Sequence, residues 1–223
     1  MTLESSKNLG GIGAILLFIG VLPIIQYMWV LGLVGIILII VALNGLANYY
    51  SARGIFNNAL YGIIAAIVGI IIAVSAAFAA VLANMSNIND FISTIYPGWN
   101  GDWASLSGLT PNVSNLNPAD LLPLIGAIIL VFVIVLVVLW VFAIVSALFI
   151  RRSLKQVSEK SNVGLFGTSG LLLLIGACLV ILFGFGLILM WIAALLLAIS
   201  FFTLKPSPQP LPTAPSPPPP AQV

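Results

Sequence analysis

Charge is what this chain lacks. Seven Lys and Arg and five Asp and Glu make 5% of the 223 residues, and there is no histidine. A soluble domain carries about 25% charged residues, so most of this surface is built for lipid rather than water. The single cysteine, Cys178, excludes an intramolecular disulfide and a cysteine-based metal cluster. Without histidine a zinc site loses its main nitrogen ligand, and Cys178 has no imidazole to activate it as a nucleophile. A lone cysteine in an apolar run reads as a small buried hydrophobe. The carboxylates do not form a catalytic pair by sequence: Asp90, Asp102 and Asp120 fall in one polar stretch and read as solvated loop acids, while Glu4 and Glu159 lie far from it. No Gly-rich phosphate loop occurs. The net charge of +2, with no long basic patch, argues against nucleic acid as a partner. The expectation is a protein with no catalytic residues, no metal site and no cofactor.

What the chain has is apolar length: 61% of it is hydrophobic. About 20 apolar residues span the hydrocarbon core as a helix. Residues 59–82 and 121–150 each read as one span, the second long enough to tilt or protrude. Pro123 suits the first turn of the latter, where its missing N–H costs nothing. The regions 9–47 and 165–204 are each twice the needed length and divide into tight helical hairpins. Pro23 with Gln26-Tyr27-Met28-Trp29 breaks the first, and Gly184-Phe185-Gly186 breaks the second. The aromatic residues at these turns suit the membrane interface. The first apolar run lacks a small-x-small cleavage site and reads as a retained helix rather than a signal peptide.

The fold class is therefore all-α: a polytopic transmembrane bundle of six helices at about 9–25, 29–47, 59–82, 121–150, 165–183 and 187–204. Two similar hairpins flank two central helices. Charge fixes the orientation. With six spans and a cytoplasmic N-terminus, Lys7, Arg53, Arg151, Arg152, Lys155, Lys160 and Lys205 all fall inside, whereas Asp90, Asp102 and Asp120 fall outside. Four spans would put Lys7 and Lys205 on the wrong side, so the positive-inside rule favours six, with both termini cytoplasmic.

The two hairpins read as copies. Ser6-Lys7-Asn8-Leu9-Gly10 precedes Gly13 to Gly20, and Lys160-Ser161-Asn162-Val163-Gly164 precedes Gly170 to Gly176. Both run in the same sense, so a duplication would be parallel. Between the central helices, residues 83–120 are rich in Asn, Ser, Gly and Pro and read as an external loop with room for a short interfacial helix. Asn84-Met85-Ser86 and Asn112-Val113-Ser114 fit the glycosylation pattern. Asn84 lies too near the bilayer, which leaves Asn112 as the candidate. Residues 205–223 hold nine prolines and read as an extended or disordered cytoplasmic tail, with Pro212 and Pro215 in P-x-x-P spacing.

Two side-chain patterns remain. Ala65, Gly69, Ala73 and Ala77 recur every fourth residue and form a small-residue stripe that lets another helix approach closely. Asn44, Asn48, Asn57, Asn58, Ser146 and Ser200 fall towards the cytoplasmic half, where they would line a shallow polar cup or simply end the spans. A proton relay or voltage sensor would need ionisable groups that these spans lack.

Ser6 to Gly13, Tyr50-Ser51-Ala52-Arg53-Gly54-Ile55-Phe56-Asn57, Gly170 to Ala177 and Ala198-Ile199-Ser200-Phe201-Phe202 resemble a mainly archaeal family of small multi-pass membrane proteins, domain of unknown function family 996. The resemblance covers about residues 1–204. It implies an integral protein of the cell membrane and carries over no catalytic or binding residue. The expected function is non-enzymatic association with protein partners or with a second copy in the lipid bilayer. The alternative is passage of a small neutral or weakly polar solute.

Overall fold

The computed structural model describes residues 2–20, 29–114, 118–182 and 184–206. Every regular element among them is helical: α1 (Leu3–Gly20), α2 (Trp29–Tyr49), α3 (Gly54–Ala83), α4 (Met85–Ile95), a 3-10 helix (Trp103–Gly108), α5 (Pro118–Ser161), α6 (Gly164–Leu179) and α7 (Phe185–Phe202). Four are long and apolar enough to cross a membrane: Val30–Tyr49, Gly54–Ala83, Ile125–Ser161 and Phe185–Phe202. Helix α6 is apolar but shorter.

The six larger helices follow one another around a closed circuit. α1 packs on α2, α2 on α3, α3 on α5, α5 on α6, α6 on α7, and α7 back on α1, with the α2–α3 seam the slightest. Each neighbouring pair runs antiparallel. Gly10 meets Phe201 and Phe18 stacks on Trp191; Gly13 meets Gly35 and Gly20 meets Gly32; Gly62 meets Ile150 and Gly69 meets Phe142; Gly167 meets Ser158 and Gly170 meets Arg151. Direction therefore alternates around the whole circuit.

The termini of the elements explain their lengths. Thr2 caps α1, its hydroxyl accepting from the Ser5 N–H at 3.2 Å. α2 ends where Ser51 takes a left-handed φ of 50° and the Ala52 N–H returns to the Ala47 carbonyl at 2.8 Å. Helix α5 differs most from expectation. It begins at Pro118, so Pro123 sits in the second turn and not the first, where it cannot bond back to the Ala119 carbonyl. It also runs eleven residues beyond Ile150, to Ser161. The basic stretch is helical because Leu154 and Val157, three residues apart, bury one face in the core. The helix stops at Asn162, at φ 55°. Its 44 residues make it about 66 Å long, about twice the hydrocarbon thickness.

The remaining boundaries shift less. α6 ends at Leu179, before the expected limit of 183. Gly184, at φ 76°, makes the turn into α7, so Gly186 lies inside a helix. The polar stretch 83–120 contains α4 and the 3-10 helix. In α4, Met85, Ile88, Ile92 and Ile95 keep helical spacing opposite Asn87, Asp90 and Thr94, as an interfacial helix does. The first hairpin turn at Pro23, and the tail beyond Pro206, lie outside the described residues.

The core gathers at one end of the bundle. Leu3, Leu46, Ile55, Leu154, Val157, Phe166, Phe201 and Leu204 come from all six helices and are almost wholly buried. Phe166 and Phe201 meet edge to face at 5.1 Å. The Ser153 hydroxyl donates to the Ile55 carbonyl at 2.6 Å, fastening α5 to α3. The same end carries the helix termini that bear all seven Lys and Arg residues, with Glu4 and Glu159. The opposite end carries Asp90, Asp102 and Asp120.

Candidate functional site

Glycine sets the helix spacing in a repeated geometry. In the first hairpin a methyl on Gly13 would meet the Gly35 carbonyl oxygen at 2.8 Å and the Ile39 nitrogen at 3.0 Å. Gly35 faces the Gly13 oxygen and the Leu17 nitrogen in return. The second hairpin repeats this: a methyl on Gly176 would meet the Gly186 oxygen at 2.8 Å and the Met190 nitrogen at 3.2 Å, and Gly186 faces the Gly176 oxygen and Val180 nitrogen. Each glycine thus lies over the oxygen of residue i and the nitrogen of residue i+4 on its partner. Between α3 and α5 the pattern is one-sided. A methyl on Gly62 would meet the Ser146 oxygen at 3.0 Å and the Ile150 nitrogen at 3.4 Å.

Two indoles finish what the glycines begin. The last carbonyls of a helix have no partner within it. Trp191 of α7 donates to the Phe18 carbonyl near the end of α1, at 3.0 Å. Trp140 of α5 donates to the Ala177 and Cys178 carbonyls near the end of α6, at 3.1 and 3.3 Å. Both first helices of the hairpins are closed from a neighbouring element in the same way. Sequence reading missed these roles. Their signal was a tryptophan inside an apolar run, where its N–H needs a partner.

The small-residue stripe of α3 lies along its seam with α5. Gly69 and Ala73 are buried, Gly69 against Phe142, while Ala65 and Ala77 are half-buried on the flanks. The polar residues near the basic end do not converge. Asn44, Asn48 and Asn57 are exposed. The Asn58 amide donates to the Gly54 carbonyl of its own helix at 2.8 Å. The Ser200 hydroxyl is buried and donates to the Leu196 carbonyl at 2.6 Å. Ser146 is buried.

In the polar stretch, Asp102 caps the 3-10 helix, accepting from the Ala104 N–H at 3.0 Å. The Trp99 indole donates to the Asp102 carbonyl at 2.8 Å and its ring meets Trp103 edge-on at 5.4 Å. Asn112 is exposed, with its side-chain oxygen accepting from the Ser114 N–H at 3.1 Å and hydroxyl at 2.5 Å. Cys178 is exposed. Among the described residues no three His, Cys, Asp or Glu side chains gather into a metal-binding group. At the α2–α3 turn, burial first and then neighbouring Tyr49 push the Tyr50 phenol above its ordinary 10.0. Its hydroxyl is buried without a hydrogen-bond partner among the described residues.

Two open grooves flank α5. One, of about 520 Å³, lies between α5 and the α6–α7 turn, lined by Phe132, Leu136, Trp140 and Ile181. The other, of about 610 Å³, lies between α3, α4 and α5, lined by Ala77, Ile88, Phe91, Trp103 and Val131. Both walls are overwhelmingly apolar, which suits hydrocarbon chains or helix surfaces and not a polar solute.

Residues 31–195 match the model of a family described as a protein of unknown function, DUF996. The chain is similar to the uncharacterized protein MJ1644 of Methanocaldococcus jannaschii. The two are 27% identical over 206 residues, 92% of this chain and 94% of that one. No solved structure matches.

Proposed function

We propose that this chain, which belongs to the DUF996 family, is a six-span membrane protein that acts by lateral association through its α3–α5 pair and catalyses no reaction. One observation carries the reading. Within an 18-residue apolar segment of each helix, 33% and 39% of the residues are buried in α2 and α7, but only 11% in α3 and 0% in α5. Helices in lipid associate by packing and not by expulsion from water, so two long helices with one seam between them leave large surfaces free for another protein. The solute-passage reading gains no such support, because the two open grooves are lined by apolar side chains.

The six-span topology draws support from the alternating circuit. If α2, α3, α5 and α7 cross, then α1 and α6, each antiparallel to two crossing neighbours, cross as well. The 18 described residues of α1 and the 16 of α6 rise about 27 and 24 Å, close to the hydrocarbon thickness. The gathering of the cations at one end supports reading that end, with both termini, as the cytoplasmic side of a cell-membrane protein.

The experiment is extraction in native-membrane particles followed by mass determination, with single cysteines at Ile70 and Ile128 for cross-linking. Ile70 and Ile128 are 55% and 60% exposed. Assemblies larger than one chain, cross-linked through these positions, are expected. Particles holding one uncross-linked chain would refute the reading. An impermeant label should reach a cysteine at Trp103 and not one at Arg152.

A further inference from the structure

An uncompensated cation sits on an aromatic step at the edge of the bare helix pair. Arg152 of α5 places its guanidinium 5.8 Å from the centre of the Phe149 ring. Phe149 in turn meets Tyr61 of α3 edge-on at 5.9 Å, bridging the seam. Lys155, one turn along, is paired with Glu159 at 3.8 Å. Arg152 has no carboxylate within ion-pairing range among the described residues, and neither has Arg53 at the head of α3. Asn57 is exposed one turn before Tyr61, and Gln156 lies against Gly54.

Beneath the step runs an apolar track. Tyr61, Ile64, Val68 and Ile71 recur at helical spacing and are 52%, 46%, 39% and 58% exposed. The ten steps from Tyr61 to Ile71 rise about 15 Å, half the hydrocarbon core. The exposed face continues past Ile71 to Phe78 and Leu82, so the track below the step is long enough for one acyl chain.

We propose that Arg152, seated on Phe149 and Tyr61, holds the headgroup phosphate of an anionic lipid whose acyl chain lies along the Tyr61–Ile71 track. Charge complementarity selects this occupant. The seven cations at this end are opposed by Glu4 and Glu159 alone among its side chains, and a guanidinium fork matches phosphate oxygens in pairs. The flat ring beneath holds the fork in place without consuming its donors. The proposal rests on membrane embedding as read above, but not on the association through α3 and α5.

The test is native mass spectrometry of the purified full chain with phosphatidylglycerol and phosphatidylcholine in equal amounts. The wild type is expected to retain phosphatidylglycerol preferentially. Arg152→Gln should cut that preference about fivefold, the worth of one basic group near an anionic surface. Phe149→Leu should cut it as well, whereas Lys205→Gln, at the same end of the bundle, should leave it nearly unchanged. Equal retention of the two lipids by the wild type would overturn the proposal. So would equal losses in the Arg152 and Lys205 variants, or displacement of the lipid by inorganic phosphate in excess. Resistance to alkaline carbonate extraction tests embedding by itself, so failure of that premise is seen separately.

Discussion

The hairpins and the central pair use one packing device to different ends. In α1–α2 and α6–α7 two glycines face each other's backbone, and an indole from a third helix closes the end of the first helix. In α3–α5 Gly62 faces the partner's backbone and Gly69 only a side chain, and both helices run on past them with little beside them. The hairpins are thus enclosed by neighbours, while the central pair is held firmly at the basic end and left bare beyond it. Close contact between two backbones does not by itself bury a helix. Burial needs a neighbour on more than one side.

Truncating the core should separate the two regions most strongly. Phe201 is fully buried where α1, α6 and α7 meet, and Phe201→Ala should cost about 3–5 kcal/mol. Phe142, half-buried on the central pair, should cost less on the same change. Reversible unfolding in mixed micelles reads both. Equal losses would mean the central pair is as enclosed as the hairpins.

Filling the glycine crossings should come next. Gly186→Ala thrusts a methyl against the Gly176 and Val180 backbone, which cannot yield, at about 1–3 kcal/mol. Gly69→Ala meets Cβ and Cγ of Phe142, which move only if α5 itself shifts; with little packed around the central pair that shift is easier, so the loss should be smaller. A Gly69 variant as damaged as Gly186 would show the central seam to be equally rigid.

Removing an indole N–H should have a moderate effect. Trp191→Phe keeps the stack on Phe18, at 4.4 Å, but removes the hydrogen bond to the Phe18 carbonyl and should lower stability by about 1 kcal/mol. Comparable loss from Trp140→Phe would confirm that the two helix ends are closed alike. The smallest effect lies in the α2–α3 turn. The raised Tyr50 phenol means the folded state keeps its proton longer than the unfolded chain does. Stability should therefore fall as pH rises above the ordinary 10.0. Tyr50→Phe should flatten that decline at little cost near neutrality, since the buried hydroxyl has no partner to lose among the described residues.

Helix was legible because lipid permits little else, and the glycine break at 184 was legible because only a flexible residue turns there. The extension of α5 was hidden. Arg151 to Lys160 has the composition of a loop, and Leu154 and Val157 show their spacing only once a core exists to receive them. Gly186 was read with Gly184 as one breaker, although one residue turns the chain and the other packs it. The polar residues misled for a related reason. Asn58 and Ser200 turn back on their own helices, so their presence in an apolar run says nothing about a shared site. The Arg152–Phe149–Tyr61 step joins residues almost 90 positions apart and had no local trace.

The alternating circuit has an electrical consequence. Each helix carries a macrodipole of about half an elementary charge at either terminus. Three of the six enter the basic end by their amino ends and three by their carboxyl ends. Those backbone fields cancel in pairs, so the potential at that end comes from ionised side chains alone, and changing a single Lys or Arg alters it with no backbone reserve behind it.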